Sequence, residues 1–180
     1  MLAFPVRMLK IRHARLRWMN PVSTRLEEVR SEISALAESS PTAHDLMRTM
    51  VKLLHDKMLK YNWVGFYMLE PGAKPPVLVL GAFEGAMTPH TRIPLNQGIC
   101  GAAASSGQTV VVDDVAKDSR YLACSLETKS EIVVPVFADG KVVGELDIDS
   151  HFPAAFTTEH QEFVQHCATL VGKKLEAARA

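Results

Sequence analysis

Apolar residues recur at helical spacing in three long stretches of the chain, which indicates three amphipathic helices. A fourth, shorter helix is predicted where two glycines bracket a run of small residues. The predicted starts are the Thr24–Glu27 capping box, Thr42 with Asp45 three residues on, Gly98 for the short helix that ends at Gly107, and Thr158 with Gln161 in the capping position.

Between these helices the pattern changes to that of extended strands, rich in β-branched and aromatic residues. Asp139-Gly140 is a strong hairpin signal, so the two strands that flank it are expected to be antiparallel neighbours. Gly85 to Pro94 shows neither period and is interpreted as a functional or lid-like loop, and Asp113 to Leu126 is a second long loop. The fold class is therefore α+β, a single sheet with helices packed on one face. The predicted strands are 63–69, 77–83, 109–112, 132–137 and 142–148.

The composition fits one globular domain, since the 180 residues are 47% apolar and 22% charged. The 20 basic and 20 acidic residues balance, but residues 1–20 carry five basic side chains and no acid. This segment is interpreted as a basic, disordered extension before a domain at 21–180; the alternatives are an organellar transit peptide and an extension upstream of a start at Met19. The rest is net acidic, which argues against nucleic acid as a partner. No apolar run approaches the roughly 20 residues of a membrane span.

Three cysteines fit a reducing, cytoplasmic compartment better than a disulfide scaffold. Cys167 lies on the apolar stripe of the last helix and is interpreted as structural. Cys100 begins the short helix, where the helix dipole would favour a thiolate, although a small packing residue is an equally good interpretation. Cys124 lies in an irregular loop near Arg120 and Lys129, and its local pattern is that of an exposed thiol.

Two acids stand out because they interrupt an apolar strand. Asp147 and Asp149 are spaced two apart and so point to the same face, where they imply a cation or a shared proton unless the strand ends in water. Glu131 begins the partner strand of the hairpin and could meet them. Three converging carboxylates would suit an ammonium ligand, a divalent metal or acid catalysis, and the spacing does not choose among these. A zinc site built on cysteine and histidine is not expected.

Five strings taken together resemble the free methionine-(R)-sulfoxide reductases: residues 62–67 (NWVGFY), 92–94 (RIP), 98–101 (GICG), 130–135 (SEIVVP) and 146–150 (LDIDS). The resemblance runs from about residue 22 to the end of the chain. It implies the GAF fold, an antiparallel sheet of about six strands with helices on one side, and a homodimer. By position it also implies a catalytic Cys124, an aromatic pocket of Trp63 and Tyr67, and Glu131, Asp147 and Asp149 as the carboxylates that hold the amino acid and polarise the sulfoxide, with Glu131 and Asp149 assigned to catalysis as well.

The implied reaction is attack of the Cys124 thiolate on the sulfoxide sulfur, with a carboxylic acid as proton donor. Where the family often has a further cysteine ahead of the RIP string, this chain has His90. The hypothesis is that Cys100 resolves the sulfenic acid, or that a thioredoxin-like reductant does so directly; no metal or other cofactor is expected. The alternative is a GAF domain that senses a small molecule without catalysis.

Overall fold

A computed structural model describes residues 21–122 and 125–179 of the chain. The predicted N-terminal extension and Cys124 therefore lie outside the described residues. The elements in chain order are α1 (Pro21–Ser39), α2 (Ala43–Lys57), β1 (Trp63–Leu69), β2 (Val77–Glu84), β3 (Arg92–Pro94), α3 (Gly98–Ser106), β4 (Val110–Val112), a 3-10 turn (Val115–Lys117), β5 (Ser130–Ala138), β6 (Lys141–Ser150) and α4 (Thr158–Ala177).

The strands form one six-stranded sheet in the order β3-β2-β1-β6-β5-β4, and every neighbouring pair is antiparallel. The hairpin predicted at Asp139-Gly140 joins β5 to β6, and both turn residues have positive φ, 51° and 71°. Such a turn matches the right-handed twist of the two strands and fixes their register. The predicted α+β class with an antiparallel sheet is confirmed.

The two faces of the sheet have different partners. Helices α1, α2 and α4 pack on one face and bury the main apolar core, to which the sheet contributes residues such as Phe66, Val134 and Leu146. The opposite face carries a smaller apolar cluster that includes Tyr67, Val133 and residues of α3. Because strand residues alternate between faces, one strand supplies both clusters. None of the described helices combines the length and apolarity needed to cross a bilayer.

Several strand boundaries differ from the sequence prediction by one or two residues, and three further differences concern two helix starts and a short strand. Helix α1 begins at Pro21, one turn before the predicted capping box, because proline is favoured in a first helical turn. The cap of α4 is Thr157, whose N–H donates to Nδ1 of His160 at 3.4 Å, so His160 takes the place expected for a glutamine. The loop at 85–94 ends in the short strand β3, which pairs with β2.

Gly172 permits the close approach of α4 to the sheet, and a Cβ there would overlap the carbonyl oxygen of Phe137. An alanine in a helix is ordinarily more stable than glycine by about 0.5–1 kcal/mol. Here we expect Gly172→Ala to lower the free energy of unfolding by about 1–3 kcal/mol, because the backbone of β5 must shift. Urea unfolding would measure it, with Thr169→Ala on the exposed side of α4 as the matched control. A Gly172→Ala protein as stable as the control would contradict the close contact.

Candidate functional site

The candidate site lies on the sheet face that α3 covers. Asp149 on β6 is the cross-strand neighbour of Glu131 on β5 and of Trp63 on β1. Asp147, which lies two residues before Asp149 on β6, is the cross-strand neighbour of Gly65 on β1. The strand register therefore brings the three predicted carboxylates to one face, as the two-residue spacing indicated.

All three carboxylates are buried. Asp147 and Asp149 are 1% and 2% exposed, and Glu131 is 4% exposed. The alternative of a strand end that reaches water is therefore wrong, because β6 continues as a paired strand through Ser150. One oxygen of Asp147 and one of Asp149 have no hydrogen-bond partner among the described residues. Buried polar atoms are ordinarily paired, so these oxygens indicate a place for donors from a bound molecule.

A fourth buried acid, Glu145, was missed by the sequence analysis. It lies on the same face of β6, two residues before Asp147, and is fully buried. Neither of its carboxyl oxygens has a hydrogen-bond partner within the described part of the chain. The signal was available, since the two-residue spacing of Asp149 and Asp147 continues to Glu145, but that residue had been counted as part of an ordinary strand.

The Cys100 thiol packs directly against this acidic cluster. Its Sγ lies 3.4 Å from Oδ2 of Asp147, to which it donates, and 4.0 Å from Oε1 of Glu131. Burial raises the pKa of the thiol well above its ordinary value, and the nearby carboxyls of Asp147, Glu145 and Glu131 raise it further. The expectation that the α3 dipole would favour a Cys100 thiolate is therefore wrong, because desolvation and three acids outweigh one helix end.

Burial also raises the pKa of every acid in the cluster. The pKa of Asp147 rises to about 7, although hydrogen bonds from Cys100 and from the backbone of Ile148 oppose the shift. The pKa values of Glu131, Glu145 and Asp149 lie well above the ordinary range, first through burial and then through the charge of Asp147. All four acids are therefore shifted toward their protonated forms.

Arg120 interacts electrostatically with Glu131 but does not neutralise the cluster. Arg120 binds Asp118 through two hydrogen bonds of 2.6 and 2.9 Å. These bonds hold the pKa of Asp118 at about 2. The acids of the site therefore depend on their own protons or on a bound cation for charge balance.

Two aromatic side chains form a wall beside the acids. The rings of Trp63 and Tyr67 lie 6.1 Å apart between centroids, and Trp63 also stacks on Phe83 at 5.9 Å. The indole lies over Gly65, where a Cβ would collide with it. The polar groups of both side chains form hydrogen bonds to the loop before β3. The indole N–H of Trp63 donates to the carbonyl of Ala86 at 3.0 Å, and the hydroxyl of Tyr67 donates to the carbonyl of His90 at 2.8 Å.

The described residues next to Cys124 in sequence lie at the site. Leu122 packs on Gly98, the first residue of α3, whose φ of +72° suits glycine. Ser125 lines a cavity of about 500 Å³ together with Trp63 and Asp149. Cys167 is fully buried in the helical core, as predicted, and burial raises its pKa to about 12.

The arrangement suits a small cationic ligand. Ligand atoms of Cys100, Glu131 and Asp147 lie within 4.8 Å of one another, a spacing that a metal ion or an organic ammonium group could occupy. The cavity beside Asp149 has the size of a small-molecule site. An ammonium group offers N–H donors to the unpartnered oxygens, and the aromatic wall offers an apolar surface to the rest of such a molecule.

Residues 42–175 match the GAF domain, and the chain therefore belongs to the GAF family. It is 41% identical to the free methionine-R-sulfoxide reductase of Saccharomyces cerevisiae over 62% of each chain. It is 35% identical to the enzyme of the same name from Escherichia coli, over 68% of this chain and 72% of that one. The structure of the Neisseria meningitidis enzyme in complex with its substrate is similar at a TM-score of 0.82 and 33% identity, covering 89% of this chain and 94% of that one. Within the GAF proteins, the chain belongs to the free methionine-R-sulfoxide reductases, a family of oxidoreductases that act on sulfur.

The raised pKa of Asp147 predicts how stability depends on pH. An unfolded aspartate ionises near pH 4, whereas in the folded protein Asp147 keeps its proton up to about pH 7. Between these values ionisation favours the unfolded chain, so its contribution to stability is lost as the pH increases through this window. We therefore compare the free energies of unfolding of wild type and Asp147→Asn. As the pH increases from about 4 to about 7, wild type is expected to lose stability relative to the variant by about 1.4 kcal/mol per pH unit. Urea unfolding at several pH values measures the difference, and a constant difference would contradict the shifted pKa.

Proposed function

We propose that this protein reduces free methionine-(R)-sulfoxide to methionine. The observation that carries the proposal is the cluster of buried carboxyls with unpartnered oxygens beside a thiol and two aromatic rings. Such a site matches a zwitterion with an ammonium group and a sulfoxide. The relatives named above support the same substrate, since they are named as reductases of that compound. The structure of one of them, from Neisseria meningitidis, contains its bound substrate.

In this proposal the carboxyls bind the ammonium group. Asp149 is the acid of the buried cluster that borders the cavity, and it has one oxygen without a partner among the described residues. Glu131 is its cross-strand neighbour and completes the ammonium site. The rings of Trp63 and Tyr67 pack on the thioether chain and the sulfoxide methyl group, a contact that aromatic rings make well with sulfur. Asp147 lies deeper, beside the sulfoxide.

The chemical step is assigned to Cys124. Its thiolate attacks the sulfoxide sulfur while a neutral carboxylic acid donates a proton to the sulfoxide oxygen. The oxygen passes to the cysteine, which becomes a sulfenic acid, and methionine leaves with the electron pair on its sulfur. The pKa shifts support this step, because they favour the protonated forms of the acids in the cluster. An ammonium group that enters the site favours ionisation of the acids that touch it, which releases protons beside the sulfoxide.

The sulfenic acid is then resolved by a second thiol. Cys100 is the candidate within the chain, and the contact between Leu122 and Gly98 supports it, because these residues lie two positions before Cys124 and Cys100. A dithiol reductant of the thioredoxin type would return the disulfide to thiols, and no metal or other cofactor takes part. Formation of a homodimer and a cytoplasmic location stay predictions.

The first test measures methionine formed from the separate R and S sulfoxides with dithiothreitol as reductant. We expect turnover of the R isomer, and a loss of at least about 100-fold in Cys124→Ser because the nucleophile is removed. Cys167→Ala is the matched control, since Cys167 lies in the helical core, and it is expected to retain activity. Full activity of Cys124→Ser would refute the assignment of the nucleophile. Absence of turnover, with the sulfoxide still raising the melting temperature, would favour a sensor.

The second test concerns the ammonium group. N-acetyl-methionine sulfoxide has no ammonium to offer the buried carboxyls, so we expect its kcat/KM to fall by at least about 100-fold. The methyl ester of methionine sulfoxide keeps the ammonium and serves as the matched substrate, with a smaller loss. Equal kcat/KM values for the N-acetyl compound and the free amino acid would show that the acids do not select the ammonium.

A further inference from the structure

Cys100 and Asp147 form a buried pair that the proposed reduction of the sulfoxide does not require. The thiol is 4% exposed, the carboxyl is 1% exposed, and the S–H donates to Oδ2 of Asp147 at 3.4 Å. The same carboxyl lies on the face that the substrate is proposed to occupy. One acid therefore touches both the thiol that would resolve the sulfenic acid and the place where the sulfoxide would be reduced.

We propose that Asp147 couples the two halves of the reaction, first as the acid that protonates the sulfoxide oxygen and then as the base that ionises Cys100. This inference rests on the proposed function. While Asp147 is protonated it cannot accept the proton of the thiol. Once the proton has gone to the sulfoxide oxygen, a carboxylate lies 3.4 Å from the S–H group. The step that forms methionine thereby leaves Asp147 as the base that ionises Cys100.

Formation of the disulfide from the Cys100 thiol and the Cys124 sulfenic acid needs no further reactant. Asp147 takes the proton of Cys100, and the thiolate attacks Sγ of Cys124, forming the S–S bond as the S–O bond of the sulfenic acid breaks. The proton on Asp147 passes to the departing hydroxide, which leaves as water. Both thiols have then been oxidised to a disulfide, and Asp147 is again a carboxylate that must recover a proton from solvent before the next turnover.

The groups around the pair favour Asp147 as the base. From β5, Glu131 approaches Sγ only to 4.0 Å, and from β6, Glu145 holds its proton because burial and Asp147 raise its pKa. From β1, the hydroxyl of Tyr67 donates to the carbonyl of His90. Asp147, whose pKa burial raises to about 7, has the shortest contact to the thiol. The base is therefore assigned to the acid that lies within reach of the S–H group.

The test bypasses methionine sulfoxide. Hydrogen peroxide oxidises the Cys124 thiolate to the sulfenic acid, with water as the product, so the second half can be followed alone in the full chain. Trapping with dimedone reports the sulfenic acid, and mass spectrometry under non-reducing conditions reports the Cys100–Cys124 disulfide. We expect Asp147→Asn to form the disulfide at least about tenfold more slowly than wild type at pH 7, while the trapped sulfenic acid accumulates. Cys167→Ala is the matched control and is expected to follow wild type.

The pH dependence separates loss of the base from loss of the fold. The wild-type rate is expected to increase with pH until Asp147 is ionised and then to level off. The rate of Asp147→Asn is expected to continue rising toward high pH as Cys100 ionises by itself, which a misfolded protein would not do. Glu131→Gln is expected to be slowed less than Asp147→Asn.

Three results would overturn the inference. They are equal rates in wild type and Asp147→Asn, a larger loss in Glu131→Gln than in Asp147→Asn, and a wild-type protein that gives no Cys100–Cys124 disulfide. If methionine still forms from the R sulfoxide in any of these cases, the proposed function stands and only the coupling fails. If no methionine forms, the proposed function fails independently of this experiment.

Discussion

The burial of four carboxyl groups, which form no ion pair with a basic side chain in the described part of the chain, is the constraint on which the site depends. Glu131, Glu145, Asp147 and Asp149 lie on one face of two adjacent strands, and the nearby Arg120 is bound to Asp118. Desolvation and mutual repulsion keep protons on these acids and hold Cys100 in its thiol form. The same constraint explains why a ligand with a positive group would be bound strongly. It supplies the charge that the site lacks, and it lets the acids ionise at the place where protons are consumed.

Because side chains alternate along each strand, one face of the sheet packs against the helical core and the other carries the candidate site. In β6, Leu146 and Ile148 enter the helical core, whereas Asp147 and Asp149 face α3. A slip of one residue in the β5–β6 register would exchange these two sets and place the acids against the helices. The turn at Asp139-Gly140 and the close contact of Gly172 with Phe137 both hold this register. The apolar packing of the helix face thereby offsets the energetic cost of the acidic face.

Local chemistry made much of this structure predictable. The hairpin at Asp139-Gly140, the Thr42 cap and the shared face of Asp147 and Asp149 each depend on residues close together in sequence, and the structure has all three. The state of the Cys100 thiol could not be predicted in this way. Its α3 position indicated a lowered pKa, but burial, and after it the charges of acids more than 30 residues distant, raise the pKa instead. Glu145 was overlooked for a different reason, because its two-residue spacing from Asp147 was not followed back along the strand.

The hydrogen bonds of Trp63 and Tyr67 to Ala86 and His90 have a consequence for motion. Each ring is held at its polar end by the loop that precedes β3, so its orientation is determined before any ligand arrives. The two rings and the loop consequently form one mechanical unit. The loop cannot lift from the sheet without breaking both bonds and freeing both rings to rotate, so the departure of a bound molecule by that route would also dismantle the surface that had held it.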